Sequence, residues 1–211
     1  SNSNSNSNHS DIDELALSLT ILQRLSTSTR VLPHLLESGS SQLLCQVCNE
    51  MIERVDLRPR EEEILLVVCL ALSPLLTNET VAVDIPSKTW RVLRTALERS
   101  LSDSQTKDNS MKLPQLTLFE VLFAIRNLTI KSVTRIPMID ENFLPLLAKC
   151  IRDYRDDITI STFAAQALLD VVTDKRCQSS RDKKVAQDLS PLLGQDFLGH
   201  IILSSRRMRP S

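Results

Sequence analysis

Glycine is almost missing from this chain. Gly39, Gly194 and Gly199 are the only three in 211 residues, and no Asn-Gly or Asp-Gly pair separates two alternating apolar runs. Sandwiches and barrels need frequent tight turns, and glycine supplies the positive φ that many of those turns require. Both architectures are therefore excluded. Aromatics are also scarce, with five Phe, one Trp and one Tyr, so no base-stacking platform recurs along the chain. Charge of one sign is lacking too: 25 Lys and Arg stand against 26 Asp and Glu, a formal net charge of −1. That balance removes the main electrostatic warrant for nucleic acid or an anionic membrane. No uninterrupted apolar run reaches the roughly 18 residues of a spanning helix. The longest, Ile64–Leu76, is interrupted by Ser73 and Pro74.

Other absences set the compartment and the chemistry. The five cysteines are odd in number and follow no framework spacing, which predicts a reducing, cytoplasmic or nuclear location. No basic leader or apolar h-region opens the chain, so a secretory protein is not expected. Position 1 is not Met, and the expectation is a fragment of a longer protein. Sequons at Asn78 and Asn127 would matter only in a secreted chain. No G-x-G-x-x-G, G-K-[ST] or G-x-S-x-G occurs, and His9, His34 and His200 lie near no nucleophile in a recognisable motif. A non-catalytic protein without a cofactor is expected.

What is present is Leu, Ala, Ile and Val at helical spacing. Ser1 to Ser10 is a Ser-Asn run with no apolar residue, and disorder is expected there. Asp11 and Glu14 are spaced as a capping box before a helix whose apolar face is broad enough to be covered on more than one side. A short helix from Val31 to Glu37 has Pro33 in its first turn, and Gln42 to Val55 follows. Glu61, Glu62 and Glu63 sit at the positive end of a helix running to about Leu76. That helix is apolar nearly all round and so should be central, with Pro74 kinking it or closing its last turn. Lys88 to Leu101 carries Trp90, Leu93, Leu97 and Leu101 on one face. The polar stretch Ser102–Lys112 reads as an exposed loop, and Pro114 opens a helix ending near Ile130. A connector with one short turn leads to helices at Asn142–Tyr154 and Asp157–Thr173, joined by an Arg155-Asp156 corner. After the charged stretch 174–184, a partial repeat at 185–203 and a basic tail at 204–211 complete the chain.

Three helix ends share a pattern. Ala124, Ile125, Asn127 and Leu128 fall in the order A-L-x-N-L; Ala167, Leu168, Asp170 and Val171 repeat it, and Ala71, Leu72, Pro74 and Leu75 precede it. Spacings of about 53 and about 43 residues point to an α-solenoid of roughly 40-residue repeats. With Phe143-Leu144-Pro145-Leu146-Leu147 and Ala164-Ala165-Gln166-Ala167-Leu168-Leu169-Asp170-Val171, the chain resembles the armadillo-repeat family. The resemblance implies an all-α, right-handed solenoid of about three to four repeats over 11–203, at about 31–77, 85–130 and 134–173, with the partial one at 185–203. Asn142 stands where that family usually has a helix-initiating glycine. The faint first helix of each repeat leaves a HEAT-like two-helix array open.

The same resemblance implies a groove along the third helices that binds an extended or helical segment of a protein partner. Asn127 would hydrogen-bond the ligand backbone and Phe123 would clamp its side chains, with Gln166 and Asp170 beside them and Arg126 on the flank. The alternative is a segment regulating an attached catalytic domain. Cys45 and Cys48 form a C-x-x-C without a second pair, which zinc would need, so they read as half-buried helix positions; Cys69 and Cys150 read as core. Asp153, Asp156 and Asp157 flank a corner and read as capping residues. Lys131, Arg135, Arg152 and Arg155 read as a solvated face rather than a binding patch. Trp90 reads as an ordinary apolar face residue.

Overall fold

Leucine-rich segments without glycine leave the backbone one economical way to satisfy its own N–H and C=O groups, the α-helix. The computed structural model describes residues 5–52, 59–76, 85, 87–103, 117–172 and 174, and helices account for nearly all of them. No strand is found among the described residues, and no described helix is long and apolar enough to cross a membrane. The chain divides into two compact units, Ser1–Leu93 and Arg94–Ser211. The expected repeat at 185–203 and most of the Ser102–Lys112 loop lie outside the described residues.

In the first unit α1 (Ser5–Ser26), α2 (Leu32–Glu37) and α3 (Ser40–Ile52) pack around α4 (Pro59–Leu75). As expected, α4 is buried on nearly every side, from Ile64 and Leu65 to Leu75, and Glu61 and Glu62 occupy its first turn. Pro74 sits within its last turn. Lacking an N–H, it cannot bond the Leu70 carbonyl; the buried Ser73 hydroxyl donates to that carbonyl instead, at 3.2 Å. Pro33 lies in the first turn of α2, where a missing N–H costs little.

The first helix departs from expectation twice. It begins at Ser5, inside the Ser-Asn run predicted to be disordered, so Asp11 is an interior residue and not a cap. Propagating a helix backwards from a packed segment costs far less than nucleating one. Its buried side is also the less apolar one. Ala16, Leu19, Gln23 and Ser26 are buried, whereas Leu15, Leu17, Ile21 and Leu25 are exposed. The broad apolar face is thus covered on one side only.

The helix α5 (Ser87–Asp103) buries Trp90, Leu93, Leu97 and Leu101 as one face. In the second unit come α6 (Leu118–Ile130), a 3-10 turn (Ser132–Thr134), α7 (Arg135–Asp140), α8 (Leu144–Asp153) and α9 (Ile158–Val172). The start of α6 is set by Thr117, whose hydroxyl accepts from the Glu120 backbone N–H while the Glu120 carboxylate accepts from the Thr117 N–H. This capping box places the start four residues beyond Pro114, the residue expected to open the helix. Asp157 caps α9, its Oδ1 accepting from the backbone N–H groups of Thr159 and Ile160 at 3.0 and 3.1 Å. Asn142 has φ 59°, a left-handed conformation that asparagine tolerates and glycine would fill at no steric cost. The chain can therefore turn from α7 into α8 without glycine.

Against α9 pack both α6 and α8. Ala124 and Ala167 are fully buried, as are Leu122, Ile125, Leu128, Leu168 and Val171 around them. Small residues at the contact let the helix axes approach, and the leucines fill the space beside them.

Candidate functional site

The pairs that join α6 to α9 keep one register. Phe123 meets Phe163 with ring centroids 5.8 Å apart. Arg126 Nε donates to Gln166 Oε1 at 3.2 Å, and Thr129 Oγ1, which donates to the Arg126 carbonyl at 2.7 Å, lies 3.4 Å from Asp170 Oδ2. The partners are 40 or 41 residues apart throughout. Partner numbers rise together, so the two helices run in the same direction. The motif copies, by contrast, lie about 43 residues apart, so α9 is shifted axially by two or three residues, roughly 3–4.5 Å.

Helical geometry then lays out a stripe. On α6 the positions Phe119, Phe123, Arg126 and Ile130 recur at intervals of three and four and so share a face. On α9 the same holds for Phe163, Gln166 and Asp170. At one end of the stripe the three rings close on one another: Phe119 and Phe123 stack at 6.1 Å, and Phe119 and Phe163 tilt at 5.5 Å. Phe119 is 43 % exposed, while Phe123 and Phe163 are half-buried. Next along the stripe comes the Arg126–Gln166 bridge, and beyond it Asp170.

Of the five residues singled out from the sequence, four lie on this stripe and one does not. Asn127 is only 3 % exposed, and its Oδ1 accepts from Arg126 Nη1 at 3.1 Å. Its carboxamide therefore holds a neighbouring side chain beneath the surface, and Arg126, assigned to the flank, takes the outward position. Phe119 and Phe163 were missed. The signal was present, because Phe119 precedes Phe123 by four residues and Phe163 precedes Gln166 by three. Three of the chain's five Phe residues gather here.

The remaining candidates are absorbed by structure. Arg135 donates from Nε to the Thr129 carbonyl, from Nη2 to the Ile130 carbonyl and from Nη1 to Asp174. Arg152 pairs with its neighbour Asp153. Trp90 is fully buried. Cys69 and Cys150 are buried and Cys45 is half-buried, as expected, whereas Cys48 is buried and not half-buried because it faces α4. Burial pushes the Cys45 thiol up to about 11 and the Cys150 thiol up to about 12. Cys69 donates towards Cys48 across the packed α3 and α4, which lowers Cys48 and raises Cys69. Cys177 and His200 lie outside the described residues.

No family model matches this chain, and no curated protein or solved structure matches it either.

Proposed function

We propose that this chain is a non-catalytic protein-interaction module that binds an extended or helical segment of a partner along the stripe shared by α6 and α9. The observation that carries this reading is the cluster of Phe119, Phe123 and Phe163. Each ring brings roughly 150–250 Å² of surface, and gathering three at the surface leaves apolar area in water that a partner would bury. The capping box at Thr117 and Glu120 and the Arg126–Gln166 bridge hold the stripe in one shape before binding, which reduces the ordering cost of association. An armadillo-like solenoid is the arrangement we propose around it. It is supported by the parallel α6 and α9, by the three-helix order α7, α8, α9, and by the left-handed Asn142 between the first two of these.

The test is a selection of random 12-residue peptides displayed on phage, with a Phe119→Ser variant as counter-target. Phe119 is exposed enough for the change to leave the fold intact, which far-UV circular dichroism checks. Enriched peptides that bind the parent chain and lose most of their affinity for the variant are the expected result. Peptides that bind both equally would place the interaction elsewhere, and the stripe would lose its role.

A further inference from the structure

Arg126 differs from its counterparts. Of the part-buried arginines among the described residues, Arg94 meets Glu98 at 2.9 Å and Arg135 meets Asp174 at 3.1 Å. Among the described residues, Arg126 meets only the neutral carbonyl oxygens of Gln166 and Asn127. Those two bonds fix the plane of the guanidinium without balancing its charge. A planar fork with no ion pair among the described residues is the donor set that a carboxylate matches in bidentate fashion. Pinning the fork in advance also lowers the entropy lost when that carboxylate arrives.

We infer that the segment bound on this stripe carries a carboxylate two residues from a large apolar side chain, with the apolar group on the ring cluster and the carboxylate on Arg126. This rests on the reading of the stripe as a peptide-docking surface. The spacing follows from the helix. Phe123 precedes Arg126 by three residues and Phe119 precedes it by seven, so these two rings are centred about 7.5 Å along the axis from Arg126 at about 1.5 Å per residue. In an extended chain, side chains on one face are about 6.6–6.8 Å apart, two residues on. Asp170, one turn beyond Gln166, bounds the stripe at the other end.

The peptides enriched on the parent chain provide the test. Their sequences should show Asp or Glu two positions from Phe, Leu, Ile or Trp. A synthetic fluorescein-labelled copy of one such peptide should bind the parent chain about tenfold more tightly than its Glu→Gln counterpart, the scale of one charge-assisted hydrogen-bond pair. The gap should shrink in high salt. Arg126→Gln should bind the two peptides equally, and Arg126→Lys should restore part of the difference, provided both variants keep the parent's helicity and melting temperature. Enriched peptides that depend on Phe119 but lack an acid, or a tenfold gap that survives Arg126→Gln, would overturn the carboxylate requirement and leave the docking reading standing. A selection yielding no Phe119-dependent peptide would overturn both.

Discussion

At the scale of the residue, Ser73 illustrates how a side chain repairs a backbone defect. Its hydroxyl is the donor to the Leu70 carbonyl, which Pro74 has deprived of its usual partner. The group is fully buried, so water cannot take its place. Ser73→Ala should lower stability by about 1–3 kcal/mol, the cost of an unsatisfied buried acceptor, as read by urea unfolding. Pro74→Ala in that background returns an N–H to the same carbonyl and should recover part of the loss. Equal losses for Ser73→Ala with and without Pro74→Ala would mean that the hydroxyl does not substitute for the missing N–H. The same scale explains Asn127. An asparagine three residues after a buried alanine looks identical in sequence whether its carboxamide faces a groove or a neighbouring arginine, and Arg126 Nη1 takes it here.

At the scale of the element, the end of α6 is finished by a residue outside it. Arg135, at the start of α7, donates to the carbonyls of Thr129 and Ile130, two of the groups that a helix C-terminus leaves without intrahelical partners. Its third bond reaches Asp174, just beyond α9, so one guanidinium ties the ends of two parallel helices together. The pair is no surface salt bridge, since the side chains of Arg135 and Asp174 are 18 % and 7 % exposed. Arg135→Ala should therefore cost roughly 3 kcal/mol, because it removes an ion-pair partner from a buried carboxylate and the donor from two carbonyls at once. Asp174→Ala should cost less, as Arg135 keeps both carbonyls. Equilibrium unfolding of the two variants checks this order, and a loss below about 0.5 kcal/mol for Arg135→Ala, typical of a surface change, would contradict it.

At the scale of the whole molecule, buried thiols link stability to alkaline pH. Burial raises Cys45 to about 11 and Cys150 to about 12 from an ordinary 9.0, and hydrogen bonding to Cys48 together with burial raises Cys69 as well. A raised thiol pKa means that the folded chain keeps its proton when the unfolded chain has lost it. The unfolded state then binds fewer protons, and stability falls with pH. The contribution is complete below about pH 9 and is lost as pH rises from there towards 11 and 12. Because these cysteines belong to both compact units, each unit should show the decline. Melting temperature should stay flat near neutrality and fall above about pH 9, and Cys150→Ala should flatten that fall even while lowering stability at pH 7. A parent chain and variant with the same alkaline slope would remove Cys150 from the account.

Much of this was legible in the chain itself. Leu and Ala at helical spacing, with almost no glycine, allowed only helices. The positions of α2, α4, α5, α8 and α9 followed from apolar periodicity, from Pro33 and from the Asp157 corner, because those signals act within a few residues of one another. The capping box at Thr117 and Glu120 is equally local, and it competes with the helix-start signal of Pro114 three residues before it. The buried roles of Ala71, Ala124 and Ala167 were also readable, since a small residue recurring among leucines has few other uses. The stripe was not. Register between α6 and α9 depends on how far one helix slides along another, an axial shift of two or three residues that no sequence spacing records. That shift pairs Arg126 with Gln166 and closes three rings into one cluster. Helix formation is settled by neighbours along the chain, whereas the face a helix offers to a partner is settled by what its other faces have already buried.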